Sequence, residues 1–305
     1  MKKPVFGLIG TISRDEITCP DGRRLEQLGG ILYQAAALCA LGEKTVVFAN
    51  LAEGLAAEVE PLLAAWPTFS RKGLASVTGP GNRVNLFYPP RGERREVLSS
   101  AVPALEPGRI VPGLRRIDFL LMVVNSGFDL SLESWRRVVD AASCPVWFDI
   151  HSLTLQPSLG VERAYRPIPG WKDWARGTDY LQANRQEIAC MLGRPDEEPS
   201  AEAIARLCGE ALDLGLEAVF VTLGKEGGLV ATRRGSPRIG IRDDRTVVDT
   251  TGCGDIFAAA TASRLARGED PVSAAAFGLD LASRAAYSAG VREAYDLVRR
   301  LRSAD

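Results

Sequence analysis

Short apolar runs alternate with helix-like patterns along most of this chain. Some runs are apolar throughout, such as residues 119–124, as is typical of strands that helices cover on both faces. This alternation predicts an α/β fold with a doubly wound, mainly parallel sheet and helices on both faces. The predicted strands are residues 5–10, 44–50, 117–124, 145–150, 180–183 and 218–222. The predicted helices are residues 28–41, 53–66, 131–142, 185–192 and 200–214.

Two segments break this rhythm. Residues 11–26 are polar and rich in turn formers, and residues 79–101 resemble a hairpin around the turn at 89–93. We expect both to emerge where ligands bind in such sheets and to form a small β lid, the alternative being two unrelated surface loops. The predicted domains are then an α/β domain of residues 1–10, 27–78 and 102–305, and a lid of residues 11–26 and 79–101.

The C-terminal third has a different pattern. A hairpin-like stretch at 228–241 precedes three predicted helices, residues 254–267, 272–289 and 292–302. The first two helices are rich in alanine, which favours close helix packing.

Composition restricts the classes of partner. Lys and Arg total 37 against 38 Asp and Glu, so no net charge attracts nucleic acid or an anionic membrane. Six cysteines without a Cys-x-x-Cys pair suggest reduced thiols and a cytoplasmic protein. The apolar run at residues 5–10 is too short for a signal peptide, and there is no stretch of about 18 apolar residues to span a membrane.

The segment Asp249-Thr250-Thr251-Gly252-Cys253-Gly254-Asp255 runs directly into a predicted helix. Glycines at a turn that opens a helix leave backbone N–H groups available to an anion, and the helix dipole adds positive charge there. Asp255 at this place predicts phosphoryl transfer, with the carboxylate accepting the proton of the attacking hydroxyl. The alternative is an ordinary helix N-terminus with Asp255 as a capping residue.

Two further turns are suggestive. Gly224 and Gly227 follow the predicted strand that ends at Thr222, where the backbone could meet a nucleotide, although any tight turn has this appearance. Asn184 and Glu187 lie three residues apart at the start of a helix and suit a hard cation or its water shell. The alternative for Asn184 is a helix cap.

Two phosphate-binding motifs are absent from the sequence, the Gly-x-x-x-x-Gly-Lys-Ser/Thr loop and Gly-x-Gly-x-x-Gly. The order Asn-x-x-Glu, Thr-x-Gly-x-x-Gly and Asp-Thr-x-Gly-x-Gly-Asp instead resembles the ribokinase, or PfkB, family of carbohydrate and nucleoside kinases. The resemblance extends over nearly the whole chain, including Gly29-Gly30 and the two lid segments. It implies a β lid over a sugar site, ATP as the donor, and Mg²⁺.

The resemblance also implies roles for individual residues. The implied catalytic residues are the base Asp255 and the anion hole of Gly252, Cys253 and Gly254. The implied nucleotide-site residues are Asn184, Thr222, Gly224 and Gly227. The implied substrate-site residues are Asp15, Gly29, Gly30 and Gln34. The implied metal sites are Mg²⁺ near Glu187, through water, and a monovalent cation such as K⁺ near Asp249 and Thr251.

Three positions depart from the family pattern. Cys253 stands where a small residue is usual, and Gln34 stands where Asn is common. His151 falls in the segment that matches Asp-x-Asn-x-Arg, where many members contact substrate or nucleotide, and a structural, hydrogen-bonded histidine is the alternative.

On the predicted lid hairpin, Phe87 and Tyr88 could stack on a nucleobase or pack inside the lid.

The sequence thus predicts an ATP-dependent, magnesium-requiring kinase that phosphorylates a primary hydroxyl of a small sugar or sugar-like substrate. A nucleoside kinase and a catalytically silent ligand-binding member are the alternatives. Arg91, Arg94 and Arg95 could meet a phosphosugar or form a solvated hairpin tip. Exposed strand edges of the lid suggest a homodimer.

Overall fold

The computed structural model describes residues 3–89, 95–241 and 250–302. The strands are β1 (Val5–Ile9), β2 (Ile12–Thr18), β3 (Arg24–Gly30), β4 (Lys44–Ala52), β5 (Phe69–Ser70), β6 (Leu74–Val77), β7 (Asn82–Phe87), β8 (Arg95–Ser100), β9 (Phe119–Val123), β10 (Val146–Asp149), β11 (Tyr180–Asn184), β12 (Ala218–Thr222), β13 (Gly228–Thr232) and β14 (Arg238–Ile239). The helices are α1 (Leu32–Ala40), α2 (Glu53–Ala64), α3 (Pro107–Leu114), α4 (Leu132–Ala141), α5 (Trp171–Ala175), α6 (Arg185–Met191), α7 (Ala201–Asp213), α8 (Cys253–Leu265), α9 (Pro271–Ala285) and α10 (Gly290–Arg302).

A large sheet occupies the centre of the α/β part. Its strand order is β14-β13-β12-β11-β10-β9-β1-β4-β5, with β6 beside β4. The strands from β12 to β4 run parallel, and β13 and β14 add an antiparallel end. The predicted fold class, a mainly parallel sheet with helices on both faces, is confirmed.

A separate sheet has the order β3-β2-β7-β8. Here β2 pairs antiparallel with β3 and parallel with β7, and β7 pairs antiparallel with β8. The two polar segments that interrupt the α/β rhythm therefore join in one lid-like sheet, as predicted, and are not unrelated loops.

The first long helix begins later than the sequence predicts. It starts at Leu32, whereas the prediction places its start at residue 28. Residues 24–30 form β3 instead, because they pair with β2 over their whole length. Gly30 has a φ of +64°, which ends the strand and turns the chain into the helix.

Apolar side chains fill both faces of the central sheet. Trp147 stacks on Phe220 with 4.6 Å between ring centroids on one face, and Trp135 packs near Phe148 at 5.8 Å on the other. Burial on both faces explains why the central strands are almost wholly apolar. Within the described ranges, no helix is long and apolar enough to cross a membrane.

Candidate active site

Polar residues stand at the carboxyl ends of neighbouring parallel strands. Asp149 ends β10, Asn184 ends β11 and Thr222 ends β12, while Asn125 follows β9. Since parallel strands place these ends at one edge of the sheet, the side chains share one region. The lid sheet and the N-terminus of α8 reach the same region, as the cavities show.

Two adjoining cavities lie at this edge. The larger cavity has a volume of about 230 Å³, and its lining includes Asp149, Gln182, Asn184, Glu187, Thr222 and Gly254. The smaller cavity has a volume of about 60 Å³, and its lining includes Asp15, Tyr33, Asn82, Glu96, Asn125 and Thr251. His151, Gly252 and Asp255 line both, so these three residues stand where the two spaces meet.

Asp255 is the third residue of α8 and is buried, with 7% of its surface exposed. Gln34 Nε2 donates to Asp255 Oδ1 at 3.3 Å and so orients the carboxylate. Gln34 itself is fully buried. The structure thus shows Gln34 as a partner of Asp255, and its direct contact with a substrate stays a prediction.

The turn before α8 is shaped by Gly252. Its φ is +78°, and a Cβ there would collide with the ring of Tyr33. Gly252 and Gly254 both line the larger cavity, whereas the amide of Cys253 donates to the carbonyl of Thr250 at 3.2 Å. In this conformation, the amide of Cys253 is therefore engaged inside the turn.

Three of the four predicted substrate residues, Asp15, Gly29 and Gly30, form one group on β2 and β3. Ser13 Oγ donates to Asp15 Oδ1 at 2.7 Å, and Asp15 is 5% exposed. A Cβ at Gly29 would collide with the Asp15 carboxylate, and a Cβ at Gly30 would collide with the carbonyl of Thr11. Gly29 therefore leaves the room that the Asp15 carboxylate occupies at the smaller cavity, and Gly30 allows the close approach of the Thr11 carbonyl.

Asn184 and Glu187 form a capping box at the start of α6. Asn184 Oδ1 accepts from the amide of Glu187 at 2.8 Å, and Glu187 Oε2 accepts from the amide of Asn184 at 2.7 Å. Asn184 Nδ2 also donates to Glu187 Oε1 at 2.8 Å. The cap that the sequence left as an alternative is present, and both residues also line the larger cavity.

The larger cavity is rich in carboxylates. Burial, and then the charges of Glu187 and Asp255, raise the pKa of Asp149 well above its usual value. A bound cation would relieve this accumulation of negative charge. Within the described residues, no three Asp, Glu, Cys or His side chains are close enough to form a metal cage. The carboxylate of Glu187 and the amide oxygen of Asn184 are ligands of a kind that fits Mg²⁺ held through water and phosphate oxygens, the mode that this ion prefers.

The remaining predicted positions have different surroundings. Thr222 lines the larger cavity, and Gly224 and Gly227 form the turn after it, with φ of +58° and +91°. Thr251 Oγ1 lies 3.0 Å from the hydroxyl of Tyr88 on the lid, within hydrogen-bond distance. Asp249 lies outside the described residues, so the predicted monovalent-cation site stays a prediction.

His151 has a φ of +35°, and it is the single non-glycine residue with positive φ in the described ranges. Its Nδ1 lies 2.9 Å from Ser152 Oγ. Such backbone conformations cost about 1–3 kcal/mol and cluster at functional sites. His151 is thus hydrogen-bonded and also lines both cavities, and contact with a ligand stays a prediction.

Several lining residues were not singled out from the sequence as site residues: Asn82, Glu96, Asn125, Asp149 and Gln182. For Asp149 and Asn125 a signal existed, because both stand where a buried strand ends. Glu96 lies inside a lid strand, where sequence spacing alone gives no sign that it faces a cavity.

The chain matches the model of the pfkB family carbohydrate kinases over residues 162–296. An "uncharacterized sugar kinase" of Archaeoglobus fulgidus is 28% identical over 187 residues, which cover 60% of this chain and 66% of that protein. The ribokinase of Arabidopsis thaliana is 30% identical over 159 residues, 52% of this chain and 40% of that protein. The matched regions thus span less than two thirds of the length of these curated relatives.

Solved structures share the fold. The structure of Arabidopsis thaliana ribokinase with ribose and ATP has a TM-score of 0.68 at 19% identity and covers 98% of this chain and 99% of that one. A pyrophosphate-dependent kinase of the ribokinase family, complexed with a pyrophosphate analog and myo-inositol, has a TM-score of 0.78 at 16% identity, covering 96% and 98%. Residues 162–296 of this chain are thus similar to the pfkB family carbohydrate kinases, and nearly the whole chain shares the ribokinase fold.

Proposed function

We propose that this protein transfers the γ-phosphoryl group of ATP to a primary hydroxyl of a small, neutral, sugar-like substrate. In this proposal the larger cavity holds the phosphates of the donor, and the smaller cavity under the lid holds the acceptor. The ATP-bound ribokinase of Arabidopsis thaliana, which has the same fold, supports ATP as the donor.

The main support for this proposal is the position of Asp255. Its carboxylate lies at the junction of the two cavities, on the first turn of α8. An acceptor hydroxyl in the smaller cavity would meet Asp255 while it attacks a phosphoryl group in the larger one. Asp255 would then accept the proton, a step that requires little basicity because proton removal comes late in a loose transition state.

The turn at Gly252–Gly254 would stabilise the charge of the transferred group. The first amides of a helix have no acceptor within the helix, and the helix dipole favours an anion there. In this conformation Gly254 lines the cavity while the amide of Cys253 is engaged with Thr250. We therefore expect the amide of Gly254 to contribute more than that of Cys253.

A bound Mg²⁺ would neutralise phosphate charge beside Glu187, through water. Asn184 and Glu187 fix each other through the capping box, so the carboxylate has a defined position. Asp149 adds a second carboxylate to the lining of the larger cavity.

The smaller cavity suits a neutral, hydroxyl-rich acceptor. Its described lining carries the carboxylates Asp15 and Glu96, the amides Asn82 and Asn125, and hydroxyl groups, with no Arg or Lys. Carboxylates and amide oxygens accept hydrogen bonds from hydroxyl groups and repel a phosphate. Of the three arginines that the sequence offered as contacts to a phosphosugar, Arg91 and Arg94 lie outside the described residues, and Arg95 lies over the ring of Phe87 and pairs with Glu162.

The aromatic residues of the lid give less support to a nucleoside acceptor. The hydroxyl of Tyr88 is within hydrogen-bond distance of Thr251, and the ring of Phe87 lies 5.8 Å from the guanidinium of Arg95. Tyr33 is the aromatic residue in the described lining of the smaller cavity, and its ring packs on Gly252. A nucleoside kinase remains the second candidate on the strength of this ring.

A screen of donors and acceptors tests the proposal. Purified protein is incubated with Mg²⁺, with ATP or pyrophosphate, and with pentoses, hexoses, cyclitols, sugar acids, phosphosugars or nucleosides, and the products are identified by mass spectrometry. We expect ATP-dependent phosphorylation of a neutral polyol. Phosphorylation of nucleosides or phosphosugars alone would contradict the acceptor class, and binding without transfer by any donor would indicate a silent ligand-binding member.

A further inference from the structure

A loop from the α/β part of the molecule covers the outer edge of the lid. Residues 155–165, which we name the strap, close on themselves through a bridge between Leu155 and Tyr165. The strap also pairs with β8, since Gly160 N donates to Leu98 O at 2.8 Å and Arg163 N donates to Glu96 O at 2.9 Å. The strap thereby connects the fourth lid strand to the chain that carries His151.

Two buried side chains reinforce this connection. Arg163 Nη1 donates to Glu96 Oε1 at 3.0 Å, and the two side chains are 0% and 7% exposed. Arg163 also donates through Nε to the carbonyl of Gln156 at 3.0 Å and through Nη2 to that of Ser152 at 3.4 Å. One guanidinium thus links the lid carboxylate to the residue next to His151.

Burying the Arg163–Glu96 pair costs free energy, and only a well-fitted arrangement of the two side chains recovers that cost. Desolvation of two charges can exceed their mutual attraction, so a buried ion pair is weak evidence of a stabilising role. Glu96 also lines the smaller cavity, where a carboxylate in a fixed orientation can accept a hydroxyl hydrogen bond. This pair therefore suggests a role in recognition.

We propose that Glu96 is a specificity-determining residue that accepts a hydrogen bond from a hydroxyl group of the acceptor, and that Arg163 is the residue that positions it. The proposal rests on the phosphoryl transfer proposed above. In this arrangement Asp15 on β2 and Glu96 on β8 bring carboxylates to the acceptor from two strands of the lid sheet.

The same two segments provide a matched control. Arg95 and Glu162 are neighbours of Glu96 and Arg163 in sequence and pair across β8 and the strap at 3.4 Å. Their side chains are 57% and 54% exposed, and neither residue lines the cavities. Glu162→Gln therefore breaks an ion pair between the same segments without changing the acceptor site.

The test compares Glu96→Gln, Arg163→Met and Arg163→Lys with Glu162→Gln. Steady-state kinetics give kcat and the KM values for acceptor and donor separately. We expect Glu96→Gln to raise the acceptor KM by about tenfold to a hundredfold, the range for a hydrogen bond to a charged group. The donor KM and kcat should stay close to the wild-type values. Arg163→Met should do the same, Arg163→Lys should recover part of the loss, and Glu162→Gln should behave as wild type.

Monodeoxy acceptors give a readout that a purely structural role would not change. One monodeoxy form of the acceptor should bind poorly to the wild type because it lacks the hydroxyl that Glu96 contacts. Glu96→Gln should narrow this discrimination, because an uncharged amide forms a weaker hydrogen bond with a hydroxyl group than a carboxylate does. An unchanged acceptor KM and an unchanged deoxy penalty in Glu96→Gln would overturn the proposal, as would variants that lower only the melting temperature.

Calorimetry separates this inference from the proposed function. Binding of D-ribose, myo-inositol and the best acceptor of the screen is measured without a donor. If the wild type binds a polyol but transfers no phosphoryl group, the kinase proposal fails, and the loss of affinity in Glu96→Gln still decides the role of Glu96. Absence of polyol binding by the wild type would overturn both.

Discussion

Gly252 is constrained twice, by its backbone and by a neighbour. A φ of +78° costs an L-residue about 1–2 kcal/mol, and a Cβ would also collide with the Tyr33 ring. The sequence supplied the first reason, since a glycine at a phosphate turn is easy to recognise. The second reason depends on α1 packing against α8, which no local pattern reveals.

Gly252→Ala should therefore reduce both stability and activity. Gly22→Ala is a matched control, because Gly22 has a φ of +83° and no atom lies within 4 Å of its virtual Cβ. We expect Gly22→Ala to show only the conformational cost of about 1–2 kcal/mol in chemical denaturation. Gly252→Ala should lose more stability. It should also lower kcat about a hundredfold or more, because a shifted turn would displace Asp255 from its position between the cavities. Equal behaviour of the two variants would contradict the importance of the Tyr33 contact.

Asp129 holds the loop after β9, whose Ser126 lines the smaller cavity. Asp129 Oδ2 accepts from the amide and hydroxyl of Ser126, each at 2.9 Å, and from the amide of Gly127 at 3.0 Å. Burial nevertheless raises the pKa of Asp129, against the effect of these hydrogen bonds.

The raised pKa of Asp129 determines how the stability of the folded protein changes with pH. Below the unfolded pKa of about 3.9, Asp129 is neutral in both states and resembles Asn. As the pH rises toward the folded pKa, the unfolded chain releases the proton first, so wild-type stability falls. Asp129→Asn should thus gain stability relative to wild type between pH 4 and neutral pH, measured by denaturant titration. A constant difference across that range would contradict a raised pKa.

At the level of secondary-structure elements, many polar residues of the candidate site lie at the ends of strands. Asn184 shows how one residue can serve both the element and the site, since it caps α6 and lines the larger cavity. Ser and Asn are about equally good helix caps, whereas Ala loses about 1 kcal/mol. The two roles can therefore be separated by mutation.

We expect Asn184→Ser to keep the stability of the protein and to raise the KM for the donor. Ser retains the cap but loses the Asn184 amide that donates to Glu187 Oε1. Asn184→Ala should raise the donor KM similarly and also lose about 1 kcal/mol of stability. Denaturant titration and steady-state kinetics measure the two effects. A wild-type donor KM in both variants would show that Asn184 serves only as a helix cap.

The sequence predicted the repeating elements well and the connections poorly. Predicted strand 218–222 agrees with β12 at both ends, because a short apolar run between turns allows few alternatives. The start of α1 was wrong by four residues, since β3 is defined by pairing with β2 and not by its own periodicity. The strap was not predicted at all. Its structure depends on the β8 edge and on Arg163, contacts that are distant in sequence.

At the scale of the whole molecule, the lid is connected to the α/β part at several points. The strap pairs with β8, and Tyr88 lies within hydrogen-bond distance of Thr251 in the turn before α8. The β8 edge is therefore occupied along the strap, whereas β3 forms the opposite edge of the lid sheet. A dimer through the lid would use β3.

We expect a homodimer, if formed through the lid, to depend on β3 and to be indifferent to changes at the strap. Arg24→Pro would remove an amide from the open edge of β3, because the ladder to β2 bonds through the alternate residues, as in the bond from Cys19 N to Arg23 O. Glu162→Gln would alter only the exposed face of the strap. Light scattering on both variants and the wild type measures the mass. A wild-type monomer would contradict this prediction, and a dimer that survives Arg24→Pro would assign the interface to another surface.

The proposed role of Asp255 is to accept the proton of the attacking hydroxyl between the two cavities. The most direct test is Asp255→Asn, with Cys253→Ala as a control on the same turn. We expect Asp255→Asn to lower kcat by about a hundredfold to ten-thousandfold while the affinities for donor and acceptor, measured by calorimetry, stay close to wild type. Cys253→Ala should keep its turnover. Phosphoryl transfer by Asp255→Asn at the wild-type rate would contradict the account.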